Sequence, residues 1–476
     1  MAPEINVIDP GVYETGGVPH EQFAWLRAND PVHWHPDPYE GVPGFWAITR
    51  HADVVHVSRH PELFSSHART AMFEEFADED IALYGTMMLF QDPPDHTRLR
   101  AMVNRGFTPR MIGKLEQHIR EICHRLIDEA VPLGECDFVE HFAAPLPLYT
   151  ICELLGAPLE ERKQIFYWSN KLVAFNDPEF IGDRSDSARY AAEFLDWAAE
   201  LAEKRASDPR DDIVTKLLQP APDGTRLSLS EFQMFVLMLS IAGNETTRTA
   251  TAGGMQAFFE RPEQWERLKA DRSLLPSAVE EIVRWVSPIN QFRRTATADT
   301  EVGGKTIRAG DKVVLFYPSA NRDEAVFDDP FAFDIGRDPN PHLGFGGGGP
   351  HYCLGTHLAR MNLKIIFETI LDRVPDIAPA GEPRRLRSNF VNGYKELPVR
   401  FTPAPAAPPR PGDGRPGVDL ADTGAHAPGG GPRDRPARPP PPPGPRRRPA
   451  PPPGRPPRPP GAGCALRNTL GRYAQY

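Results

Sequence analysis

"GFGGGGPHYCLG", residues 344–355, sets four consecutive glycines ahead of a single cysteine and runs directly into "THLARMNLKIIFETIL", which reads as a helix. Glycine permits what other residues resist: a positive φ, and close approach of the backbone to a large flat neighbour. A bulky group is therefore expected against this loop. Cys353 falls where the helix begins, and the unpaired amides and dipole there favour a thiolate, which makes the sulfur a better metal ligand.

Outward from that loop, the 476-residue chain is 40% hydrophobic and 9% aromatic, enough for a large core. Its five cysteines, Cys123, Cys136, Cys152, Cys353 and Cys464, are scattered, so neither a disulfide framework nor a CxxC metal site is suggested. His351 and His357 flank Cys353, but closed tetrahedral zinc sites add Cys or His in recognisable pairs that are lacking here. One axial thiolate on a heme iron fits better. A lone cysteine is more often a small buried hydrophobe, so the rest of the chain has to decide.

The start, "MAPEINVIDPGVYETGGVPH", has no basic opening, apolar stretch or cleavage site, and no apolar run reaches the roughly 18 residues of a membrane span. A soluble cytoplasmic protein is expected, with no membrane span and no nucleic-acid partner. Residues 403–476 carry twelve Arg against four Asp, whereas the whole chain is −10, so the preceding body is strongly acidic. The segment "RPPPPPGPRRRPAPPPGRPPRPP" has almost nothing apolar to bury. The expected division is a folded body over 1–403 and a disordered Pro/Arg-rich tail over 404–476. Such a tail suits an aromatic-grooved module or an electrostatic tether; the plainer reading is a passenger without function.

Apolar residues recur at helical spacing through "MIGKLEQHIREICHRLIDEAV", "ARYAAEFLDWAAELAEKRA", "SLSEFQMFVLMLSIAGNETTRTATAGGMQAFFE" and "SAVEEIVRWV". Short β-like pieces, "FWAITR", "TEVGG", "TIRAGDKVVLFY" and "LPVRFTP", lie between Gly, Pro and Asp. The fold class is mainly α with small β-sheets. An irregular stretch, "NRDEAVFDDPFAFDIGRDPNPH", is too long for a simple connection.

Together these segments resemble the cytochrome P450 family, whose ligand loop has a Phe, glycines, a basic residue two before the Cys, and Cys-x-Gly. Phe345, Gly349, His351, Cys353 and Gly355 match, except that Phe345 lies eight positions before the cysteine where the usual motif has seven. In "EEIVRW", Glu281 and Arg284 share a helix face and can pair; by resemblance Arg337 completes a structural triad with them that serves folding and heme incorporation. "IAGNETT" matches the oxygen-activation motif at Ala242, Gly243, Glu245 and Thr246. Gly243 would leave room for a diatomic ligand, and Glu245 and Thr246 supply an acid and a hydroxyl that can pass protons. In "DPPDHTRLR", His96 and Arg100 can present donors to one anion. The resemblance makes them heme propionate ligands together with Arg294 and His351.

The resemblance thus implies the P450 fold, a triangular helical heme domain holding heme b with Cys353 as its metal ligand, and monooxygenation with O2. Electrons would come from a separate ferredoxin and ferredoxin reductase, since no flavin- or nucleotide-binding glycine motif is joined to the body. A hydrophobic small-molecule substrate would be lined by Met87, Met88, Leu89, Val236, Met238, Leu239, Ile289 and Phe292. The wording of the motifs is most similar to the actinobacterial branch that oxidises sterol side chains and methyl-branched lipids at terminal carbons, with terpenoids as relatives' substrates. A peroxide-driven oxidase and a heme-binding sensor or carrier without turnover are the alternatives, and the intact Glu245–Thr246 pair argues against both.

Overall fold

Ser228 starts the longest helix by a reciprocal cap: its hydroxyl accepts from the Glu231 amide while the Glu231 carboxylate accepts from the Ser228 amide. The helix then runs through Leu229–Glu260, 32 residues, most of them buried. Tertiary packing, not intrinsic propensity, therefore carries its Gly and Thr residues.

The computed structural model describes residues 3–38, 41–76, 78, 81, 84–157, 161, 164–165, 167–168, 177–179, 185–221 and 223–404. One compact unit covers Met1–Ala407. The Pro/Arg-rich tail expected over 404–476 and Cys464 lie outside the described residues, apart from residue 404. The elements used below are α1 (His51–Arg59), α2 (Asp95–Asn104), α3 (Glu116–Ala130), α4 (Pro145–Leu155), α5 (Leu229–Glu260), α6 (Leu275–Val286) and α7 (Thr356–Arg373), with strands β1 (Val32–His35), β2 (Phe45–Ile48), β3 (Phe64–Ser65), β4 (Gln291–Ala296) and β5 (Lys312–Phe316).

The central helix α5 packs against α4, α6 and α7. Beside this bundle stands a five-stranded sheet in the order β1-β2-β5-β4-β3, with β2 and β5 parallel and the other pairs antiparallel. Both sheet faces are covered. Val313 and Leu315 join one apolar cluster with Val54 and Val57, while Val314 and Phe316 join another with Phe23 and Phe45, the two-residue alternation of a strand buried on both sides. The register sets Phe292 opposite Leu315 and Arg294 opposite Val313, so both take the α1 side of the sheet.

Two expected elements are divided. The run read as one helix from Met111 breaks after the short turn Pro109–Gly113, and α3 begins at Glu116. "TIRAGDKVVLFY" is split by a turn with Gly310 at φ +88, so Lys305–Ile307 pairs with Thr300–Val302 and only Lys312–Phe316 enters the main sheet. Among the described residues no helix is long and apolar enough to cross a membrane.

Candidate active site

The glycine loop closes on itself before α7 begins. The Cys353 amide donates to the Phe345 carbonyl at 3.0 Å, which absorbs the extra residue between them. Protein packs closely on two of the glycines: a Cβ on Gly349, itself at φ +73, would lie 2.3 Å from Ser58 O, and one on Gly347 2.6 Å from Ser58 Oγ. Gly347 and Gly349 thus let the loop seat on the end of α1. Gly355 differs. A Cβ there would meet only Cys353 Sγ, at 3.9 Å, and nothing else within 4 Å, so no side chain crowds this position beside the sulfur.

Cys353 is half-buried, and its thiol is pushed up by burial, against the pull of the Gly355 amide, the Thr356 hydroxyl, Arg100 and Arg360. Cys123 is fully buried with its thiol pushed far up by burial, and burial pushes Cys136 up to about 12, so neither offers a thiolate. Among the described residues no cluster of His, Cys, Asp and Glu could hold a metal ion by itself.

Four cationic or protonatable side chains gather near this loop. The rings of His96 (α2) and His351 are 4.3 Å apart, and Arg100 acts electrostatically on both His96 and Cys353. Arg294 reaches only the Arg293 carbonyl, at 2.7 Å, and Arg100 has no hydrogen-bond partner among the described residues. His96 Nδ1 and His351 Nε2 are buried without partners. Burial first, then Arg100, lowers His96 to about 4; burial first, then Arg294, holds His351 well below the ordinary imidazole value. Two arginines and two imidazoles held neutral, none hydrogen-bonded to a carboxylate among the described residues although Asp92 acts on His96 and Arg294, keep donors available for an anion. The two carboxylates of a heme b would meet that need, and the Cys353 sulfur, on which Arg100 acts, would serve as the ligand to its iron, so the residues fit this cofactor.

On α5, Ala242 is exposed and Thr246 half-exposed although the helix is interior, so this face borders a space within the protein. Thr246 Oγ1 donates to Ala242 O at 2.8 Å. Glu245, 7% exposed, pairs with Arg248 one turn on at 3.4 Å. Gly243 does not leave room for a ligand as expected. A Cβ there would lie 2.6 Å from Ile151 Cδ1, so the glycine lets α5 close on α4.

Glu281 and Arg284 form a bidentate pair at 2.7 and 2.8 Å with both side chains fully buried. Arg337 reaches Glu281 at 3.3 Å, and Asn340, which sequence reasoning missed, donates to the same carboxylate at 3.1 Å. Arg284 also donates to the carbonyls of Asn321, Pro330 and Ala332, and Arg337 to those of Asp328, Asp329 and Ala332. The long irregular stretch is thus pinned carbonyl by carbonyl to α6, and it delivers the chain to the glycine loop.

The profile of the cytochrome P450 family matches residues 178–375. The steroid C26-monooxygenase of Mycobacterium tuberculosis is 45% identical over 410 residues, covering 84% of this chain and 94% of the relative. The chain belongs to the cytochrome P450 family. A methyl-branched lipid omega-hydroxylase of Mycobacterium tuberculosis is 42% identical over 390 residues, covering 80% of this chain and 90% of the relative. Among solved P450 structures, that of a Mycobacterium marinum enzyme in complex with pseudoionone superposes with a TM-score of 0.78 at 38% identity, over 84% of this chain and 99% of that one. The chain is accordingly a P450 monooxygenase with a heme-iron cofactor, acting on a hydrophobic substrate with O2.

The residues expected to line the P450 substrate space fall into three groups. Met238, Leu89, Ile289 and Phe292 are partly exposed, and Met238 lies on the same helix face as Ala242 and Thr246 at four-residue spacing. Met87, Met88 and Leu239 are nearly buried, at 7%, 6% and 7%. Val236 is sealed at 0% and turned away from that face, so it is core. Sequence reasoning missed Ile241 and Phe390, which pack with Ile289 around Leu386 and Val391; the Phe390 ring lies 5.5 Å from that of Phe292. Only tertiary pairing brings the loop after Leu386 to α5.

Proposed function

We propose that this P450 hydroxylates a terminal carbon of a branched alkyl chain, on a sterol side chain, a methyl-branched fatty acid or a terpenoid of similar shape. The cluster of His96, Arg100, Arg294 and His351, with two buried imidazole nitrogens left without partners near Cys353, is the observation that carries the catalytic reading. Cys353 would hold the iron of heme b as a thiolate, and His96, Arg100, Arg294 and His351 would take its propionates. Heme bound there supplies the oxygen activation and accepts the two electrons that monooxygenation consumes.

The remaining steps belong to the chain. Thr246 commits its proton to Ala242 O, which leaves its oxygen lone pairs free to accept from water in the adjoining space. Glu245, held by Arg248, gives and takes the proton that such a water carries. Met238, Ile289, Phe292 and Phe390 exclude bulk water and hold the alkyl chain. The substrate class follows the two relatives, whose names describe oxidation at a steroid C26 and at the omega position of a methyl-branched lipid. Electrons come from a ferredoxin and its reductase in the cytoplasm.

The test is a panel of sterols, methyl-branched fatty acids and terpenes, scored first by the shift of the heme absorption band and then by product analysis with ferredoxin and reductase. Oxidation of a terminal methyl in a sterol or branched lipid is the expected result. Oxidation confined to ring carbons, or no shift with any of the three classes, overturns the substrate assignment.

A further inference from the structure

The residue before the buried Glu281 faces another way. Glu280 on α6 accepts from Arg360 on α7 through both carboxylate oxygens, Nε at 2.5 Å and Nη2 at 2.7 Å. His342 adds a third contact to Glu280 at 3.1 Å, and because His342 Nδ1 accepts the Gly344 amide, its Nε2 is the donor. The fixed guanidinium lies over the Phe345 ring, 4.7 Å from its centroid, with the His342 ring 5.7 Å away. The carbonyl of that same Phe345 receives the Cys353 amide at 3.0 Å. An unbroken set of contacts therefore runs from a carboxylate on α6, through a guanidinium on α7, to the backbone of the cysteine.

We propose that Glu280 and Arg360 are positioning residues for Cys353: the carboxylate fixes the guanidinium, and the guanidinium seats the glycine loop and sets the field at the sulfur. This rests on the reading of Cys353 as the heme ligand. The two functions separate by substitution. Arg360→Gln removes both seat and charge. Arg360→Lys keeps the charge but loses the fork and the flat stack on Phe345. Glu280→Gln leaves the guanidinium in place without its counter-charge.

Adding an electron near the sulfur is easier beside a cation, so a lost cation lowers the heme reduction potential and an uncompensated one raises it. The experiment measures, in purified holoprotein, the reduction potential and the rate at which the reduced carbon monoxide complex converts from its thiolate band to a shorter-wavelength form. The expected result is a lower potential for Arg360→Gln, a higher one for Glu280→Gln, and a near wild-type potential for Arg360→Lys, with several-fold faster conversion in both Arg360 variants. Shifts of the same sign in Arg360→Gln and Glu280→Gln would mean a packing role only and would overturn the proposal, as would potentials and conversion rates equal to wild type. Should either Arg360 variant fail to fold, Glu280→Gln still decides the field by the sign of its shift. A wild-type protein without the thiolate band defeats the Cys353 reading itself, and that outcome is separate from any difference among the variants.

Discussion

The Thr246 hydroxyl donates to the Ala242 carbonyl one turn earlier, at 2.8 Å, on a face of the central helix that retains exposure in its middle turns. A hydroxyl held in this way is an acceptor at a fixed place. Thr246→Ala removes it at little structural cost, because the side chain borders open space. Heme content and the substrate-induced band shift should stay as in wild type, while product formed per reductant consumed falls and the lost reductant appears as hydrogen peroxide or water. Unchanged coupling in that variant would take Thr246 out of the proton path.

Gly243 and Ile151 test what the glycine in this helix is for. Alanine is favoured over glycine within a helix by about 1 kcal/mol, whereas forcing a methyl into a packed interface costs about 1–3 kcal/mol. The 2.6 Å approach is to Cδ1, the movable end of the Ile151 side chain, so the cost falls toward the low end of that range and the net change is small. Gly243→Ala should shift the urea midpoint little, and in an Ile151→Val background, where Cδ1 is gone, the same change should be more favourable. An equal effect in both backgrounds would return Gly243 to a ligand-facing role.

Glu280 gives a pH signature. Burial raises its pKa, but the hydrogen bonds from His342 and Arg360 outweigh that and hold it at about 2, against 4.5 for an ordinary glutamate. A carboxylate depressed in the folded state adds stability above its unfolded pKa and loses it as pH falls through the folded one. The urea-midpoint gap between wild type and Glu280→Gln should therefore be full above about pH 4.5 and narrow as pH falls toward about 2. A gap independent of pH across that window would contradict the ion-paired carboxylate.

The glycine loop, the long helix and the Glu-x-x-Arg pair were legible because each is a local pattern whose spacing survives any tertiary arrangement. What was not legible depends on a partner distant in sequence. Nothing near Gly243 announces Ile151, and nothing in the four glycines announces Ser58. Val236 could be chosen as a lining residue because apolar composition does not report the phase of a helix face. Asn340 sits in an irregular stretch where only the folded path brings it to Glu281. The split of "TIRAGDKVVLFY" turns on one positive-φ glycine, which the apolar pattern around it conceals.

The strongly basic composition of residues 404–476 leads to a deletion test. Removing them should leave the absorption spectrum, the melting temperature and the rate at saturating electron donor unchanged. A rate that falls only at low donor concentration and low salt would identify the segment as an electrostatic tether. Loss of heme on deletion would contradict a folded body that ends before it.

The account stands on Cys353 as the thiolate that holds heme, and the reduced protein with carbon monoxide tests it most directly. The predicted result is an absorption band at about 450 nm in wild type, lost in Cys353→Ser and retained in Cys123→Ala and Cys136→Ala. A well-folded wild type that binds heme yet shows a histidine-type band, or a Cys353→Ser variant that keeps the thiolate band, would contradict it.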